Sequence, residues 1–156
     1  MKNILFIGLL MCTMIVSGQR NRFNNMTEKD GKIGIGTKTP DELLTVKGKI
    51  HTQEVMVDLN GAVAPDYVFE VYFDGYSKID PNYRLLSLAE VTNFIKENHH
   101  LPKIPSASEI ENKGLSLKEM NLLLLEKIEE LTLYTIEQQK EIDLLKCIVS
   151  KSESEK

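Results

Sequence analysis

The sequence predicts an α+β chain with a β-rich N-terminal stalk, a small helical region and one long C-terminal coiled-coil helix. Three observations predict it. Residues 33–59 carry short strand-like runs between glycine and proline punctuation. Three Ser-x-x-Glu capping boxes then follow in close order. From Leu117 to Val149, apolar side chains recur every three or four positions.

The long helix carries most of the information. With Asn121 as an a position, the a series is Asn121, Ile128, Thr135, Ile142 and Val149, and the d series is Leu117, Leu124, Leu131, Gln138 and Leu145. A seam of this spacing stays hidden only when another helix supercoils against it. At 1.5 Å per residue the helix reaches roughly 50 Å, more than so short a chain can cover with its own remainder. These ten residues are therefore the expected oligomer interface, and the expected partner is a second copy of the chain. The first half of the helix also places Leu122, Leu123, Leu125 and Leu133 off the seam, so it must be covered on several sides. The second half narrows to Ile142, Leu145 and Val149, with Glu141 at g and Lys146 at e placed for an interhelical pair. Asn121, Thr135 and Gln138 are the polar seam positions that fix register at some cost in stability. Ile at a with Leu at d leans toward two strands.

At the other end, residues 1–18 read as a secretory signal. Lys2 supplies the basic region, Ile4 to Val16 the apolar run, and Val16-Ser17-Gly18 a small-residue cleavage site. The apolar run is too short to span a bilayer, so the chain is expected outside the cell or at its surface, with no stable membrane span after cleavage. Cys12 falls within the signal, which leaves Cys147 alone and allows no internal disulfide. Without disulfides, an exported chain of this size must gain stability by packing or by association. The net charge of −4 gives no electrostatic reason to expect nucleic acid as a partner.

Residues 19–31 are polar and predict a flexible N-terminus. Residues 32–64 form the expected β-repeat stalk or collar. Ile33-Gly34-Ile35-Gly36-Thr37 suits a strand lying close against a second backbone. Leu44, Val46 and Ile50 then share one phase, and Val55, Val57 and Leu59 the other, with a turn or bulge near Thr52-Gln53 and a turn at Asn60-Gly61. Residues 65–115 predict a small α+β segment. Tyr67 to Tyr72 has strand propensity. Helices are predicted over 88–98 and 107–113, capped by Ser87 with Glu90 and Ser106 with Glu109, and the long helix opens with Ser116 and Glu119. Residues 150–156 predict a frayed tail.

Candidate chemistry is sparse. His99-His100, with Glu97 and His51, lacks metal-ligand spacing, and one of these histidines is better placed to cap the helix before it. Gly34-x-Gly36 lacks the third glycine and following helix of a dinucleotide loop. The serines are accounted for as caps, and Glu126, Lys127, Glu129 and Glu130 read as a solvated helix face. No catalytic, cofactor-binding or metal residue is predicted, and no cofactor.

A resemblance adds to this. Pro65-Asp66-Tyr67-Val68-Phe69-Glu70, Tyr83-x-Leu85-x-Ser87-Leu88-x-Glu90-Val91, His100-Leu101-Pro102-x-Ile104-Pro105-Ser106-Ala107 and Gly114-Leu115-x-Leu117-x-Glu119-Met120-Asn121, continuing through Leu124 to Tyr134, resemble a C-terminal module of secreted bacterial surface and phage tail-fibre-like proteins. Ile35-Gly36-Thr37-x-x-Pro40 with Leu44-x-Val46-x-Gly48 looks like the β-repeat ahead of such modules. The layout is similar to the intramolecular chaperone domain that trimerises tail spikes and endosialidases. The resemblance implies a parallel homotrimer that caps a fibre-like assembly or presents an adhesive surface, whose ligand the sequence does not specify. The alternative is a self-processing chaperone domain. Its Ser-Asp pair and Arg-Leu-Lys run are missing, and Ser77-Lys78 and Ser87 are poor substitutes.

Overall fold

The computed structural model describes residues 23–154. They form three strands, β1 (Met26–Lys29), β2 (Lys32–Ile35) and β3 (Leu44–Val46), and four helices, α1 (Tyr67–Asp74), α2 (Leu88–Asn98), α3 (Ala107–Lys113) and α4 (Leu117–Ser154). The architecture is α+β with a long C-terminal helix. It divides into two compact units between Val55 and Met56. The signal expected over residues 1–18 lies outside the described residues.

The first unit is a three-stranded sheet in the order β1-β2-β3. β1 and β2 form a hairpin with Met26 opposite Ile35 and Lys29 opposite Lys32. Its two-residue turn is Asp30-Gly31, both at positive φ (53° and 75°), which is the Asp-Gly chemistry such tight turns favour. That turn puts order into part of the stretch expected to be a flexible N-terminus. β3 runs parallel to β2, Ile33 beside Leu44 and Ile35 beside Val46. Gly34 within β2 and Gly36 just after it both allow close backbone approach, Gly34 to its own turn and Gly36 to the segment after β3. A Cβ on Gly34 would sit 2.5 Å from the Thr37 carbonyl oxygen, and one on Gly36 would sit 2.9 Å from that of Lys47.

The side of this sheet that is buried is the opposite of the one expected. Gly34 and Thr45 are buried, while Ile33, Ile35 and Leu44 are exposed. Thr45 is held inside by a local knot. Its Oγ1 donates to Asp41 Oδ1 (2.7 Å) and accepts from the backbone N–H groups of Asp41 and Glu42 (3.1 Å each). The Thr45 hydrogen bond, with Asp41's own N–H, holds the Asp41 carboxyl below its ordinary value. Val55, Val57 and Leu59 are exposed and lie outside any strand. A strand there would need a partner backbone, and no described strand pairs with it. Asn60 and Gly61 do make the expected turn, at φ 47° and 83°.

In the second unit the strand expected at Tyr67 to Tyr72 is a helix, so residues 65–115 contain helices and no strand. Strand propensity is mostly a matter of what a side chain packs against. Here Tyr67, Val68, Val71 and Tyr72 fall on one helical face, and Val68 is fully buried beside Tyr83 and Leu133. Gly75, at φ 78°, ends α1 and donates to the Val71 carbonyl. Val68, Tyr83 and Leu133 are the buried hydrophobic core among the described residues, with Phe69, Leu85 and Ile136 packed around it.

α2 and α3 begin with complete capping boxes, Ser87 with Glu90 and Ser106 with Glu109. At α4 the box is half made: Ser116 Oγ accepts from the Glu119 N–H at 3.4 Å, and the return bond is not formed. His99, at φ 60°, caps the end of α2, and His100 packs edge-on against Phe94 with ring centroids 5.4 Å apart. Gly114 ends α3 as expected. α4 spans 38 residues, about 57 Å. It continues through Ser154, five residues beyond the predicted end, with the Ser150, Ser152 and Ser154 hydroxyls donating to carbonyls of the preceding turn.

Candidate interaction surface

Two faces of α4 have opposite fates. All ten predicted seam residues, Leu117, Asn121, Leu124, Ile128, Leu131, Thr135, Gln138, Ile142, Leu145 and Val149, are exposed in the single chain. Leu131 is 63% exposed and Leu145 60%. The side chains that α4 buries are Glu126, Glu129, Glu130 and Leu133, which occupy b, c and f positions of the same heptads. The domain therefore packs on the back of the helix and leaves the a/d stripe open along its whole length.

The buried carboxylates correct the expectation of a solvated face. Glu126 Oε2 accepts from the Tyr67 hydroxyl (2.6 Å), and its Oε1 pairs with Lys103 (2.8 Å) and Lys127 (3.1 Å). Glu130 pairs with Lys127 (2.8 Å) and accepts from the Tyr83 hydroxyl (3.2 Å). The Lys103 ammonium lies 5.0 Å from the Tyr83 ring centroid and 5.9 Å from that of Tyr67, and the two rings are 5.0 Å apart. Lys103 itself adopts φ 66° in the elbow between α2 and α3, the backbone turn that carries its side chain back to α4. A buried charge must be paired to be tolerated. Here the partners come from α1, the Tyr83 loop and the elbow.

Burial pushes the Tyr67 and Tyr83 hydroxyls well up, reinforced by the carboxylates they face, so both remain protonated donors. Burial acts against ionised Glu126, yet the bonds from Lys103, Tyr67 and Lys127 hold its carboxyl below the ordinary value. Glu129 differs. Its Oε2 is buried without a hydrogen-bond partner, and burial, with Asp66 and Glu126 nearby, pushes its carboxyl up. The sequence held a partial signal for this cluster: the off-seam Leu133 marked the covered face, and Glu126, Glu129, Glu130 and Leu133 share it at helical spacing.

The serines considered for self-cleavage are engaged elsewhere. Ser77 is buried, donates to Glu70 Oε2 at 2.5 Å and accepts from the Ile79 N–H at 3.0 Å. Ser87 is a helix cap. Cys147 is exposed at an f position. No helix among the described residues is long and apolar enough to cross a membrane. Compared with known proteins, the chain matches no family model, no curated protein and no solved structure.

Proposed function

We propose that this chain is an exported structural module that performs no chemistry and assembles as a parallel homotrimer, capping a surface or fibre-like assembly through its C-terminal coil. The single observation that carries this is the inverted use of α4: its heptad seam is wholly exposed while the domain covers the opposite face. A helix about 57 Å long with Ile142, Leu144, Leu145, Ile148 and Val149 all at least 45% exposed is left with unburied apolar surface that a second copy covers. Asn121, Thr135 and Gln138 within the stripe set the register. The first unit, taken by itself, supports the same reading, since the apolar row of Met26, Ile33, Ile35 and Leu44 on its sheet is also exposed. Three strands rather than two follows from the resemblance to fibre-end modules.

The test is a double replacement, Leu131→Ala with Ile142→Ala. It should dissociate the assembly, because each side chain loses about 2–5 kcal/mol per chain when its buried form is truncated. An oligomer of unchanged mass after that change would refute the register.

A further inference from the structure

Beside the seam lies an apolar groove of about 310 Å³, walled by Leu88 and Val91 of α2, Leu101 and Pro102 of the elbow, and the seam residues Leu124 and Ile128. Its α4 wall also includes Lys127 and Tyr134, both g positions, so the groove flanks the stripe on its g side. We infer that this groove receives the e flank of a second copy's α4, centred on that copy's Leu125, so that α2 and the elbow clamp the neighbouring helix. The inference rests on the coiled-coil reading above and deepens it by naming what the domain adds to the coil.

The polar groups bordering the groove are already satisfied within the chain. Lys127 is paired with Glu126 and Glu130, Glu130 also accepts from Tyr83, and the Tyr134 hydroxyl donates to the Leu86 carbonyl at 2.6 Å. No free charge or donor calls for a polar ligand, so the occupant is apolar. On the opposite flank of the same stripe, Leu125 at e is 40% exposed, an apolar residue where coiled coils usually place charge. The next e residue, Thr132, already donates its hydroxyl to the Ile128 carbonyl at 2.8 Å, so covering it strands no donor. Groove on one flank and knob on the other are brought together by rotation about an axis parallel to α4, the operation that closes a ring of parallel copies.

Disulfide trapping tests this in the full chain with Cys12→Ser and Cys147→Ser. Leu101→Cys and Leu125→Cys lie on opposite flanks of the seam. Combined in one chain and oxidised, they should give covalently linked multimers on a non-reducing gel, ending at three chains. Ile128→Cys alone, at an a position, should trap the coil itself. Trapping at Ile128 without trapping between positions 101 and 125 would overturn the groove assignment and leave the coil standing. A monomer that traps at neither would overturn both. Leu125→Lys, placed where the single chain leaves the side chain partly exposed, should weaken assembly about tenfold or more with α-helical content unchanged; unaltered assembly would also overturn the assignment.

Discussion

Replacing Leu133 by Ala removes a fully buried side chain that packs with Val68 and Tyr83, whereas the same change at Leu131 removes one that is 63% exposed in the single chain. The two residues are a half-turn apart on α4, which makes them a matched pair. Leu133→Ala should cost about 3 kcal/mol, within the range for a leucine in a core that relaxes only partly. Leu131→Ala in a lone chain should cost less than about 1 kcal/mol, since little of its surface is covered. In the proposed trimer it should cost about 2–5 kcal/mol per chain. Urea unfolding followed by circular dichroism at about 1 µM and about 100 µM separates the cases, because association makes stability depend on protein concentration. The Leu133→Ala deficit should appear at both concentrations, and the Leu131→Ala deficit should be larger at the higher one. Equal and small effects of Leu131→Ala at both concentrations would refute the assignment of its face.

Further outcomes follow from the polar groups. Glu129→Gln should stabilise the protein at neutral pH by about 1 kcal/mol, because it removes a charge from a carboxyl whose Oε2 is buried and unpartnered. The sign follows from the raised carboxyl: the folded state holds its proton above the ordinary value of 4.5, so stability falls as pH rises through that region, and the gain from Gln should vanish below it. Glu90 behaves oppositely. Arg84 and the Ser87 cap lower it to about 2, so its contribution is complete above 4.5 and lost as pH falls toward 2, which an acid titration of thermal stability with and without Glu90→Gln will show. Ser106→Ala should lower the stability of the second unit by about 1 kcal/mol through loss of a formed capping box, read by urea unfolding. Gly36→Ala should disrupt the sheet, as it combines φ 74° with a Cβ 2.9 Å from the Lys47 carbonyl oxygen; loss of amide exchange protection at Ile35 and Lys47 is the readout.

What the sequence made legible was what is decided locally. The caps of α2 and α3 and the stops at His99 and Gly114 depend on residues within a few positions of one another. The strand at Ile33 announced itself through glycines that admit a neighbouring backbone. α1 was missed because Tyr67 to Tyr72 are strand formers by type, and only packing against α4, some sixty residues on, makes them a helix. The carboxylates were missed for the same reason. Glu126 and Glu130 look solvated until Lys103, Tyr67 and Tyr83, from three distant segments, are brought onto them. At Thr45 a hydroxyl knot to Asp41 and Glu42 lets a polar side chain sit on the buried side of the sheet, which the apolar phase of Leu44 did not announce.

The most direct test is the mass of the purified protein in solution at micromolar concentration, by light scattering, with helicity recorded on the same sample. Three chains per particle are predicted, each of 17.7 kDa less any cleaved leader, with α4 helical. A single polypeptide that keeps its terminal helix folded to Ser154 while isoleucine and leucine remain bare along it would contradict the account.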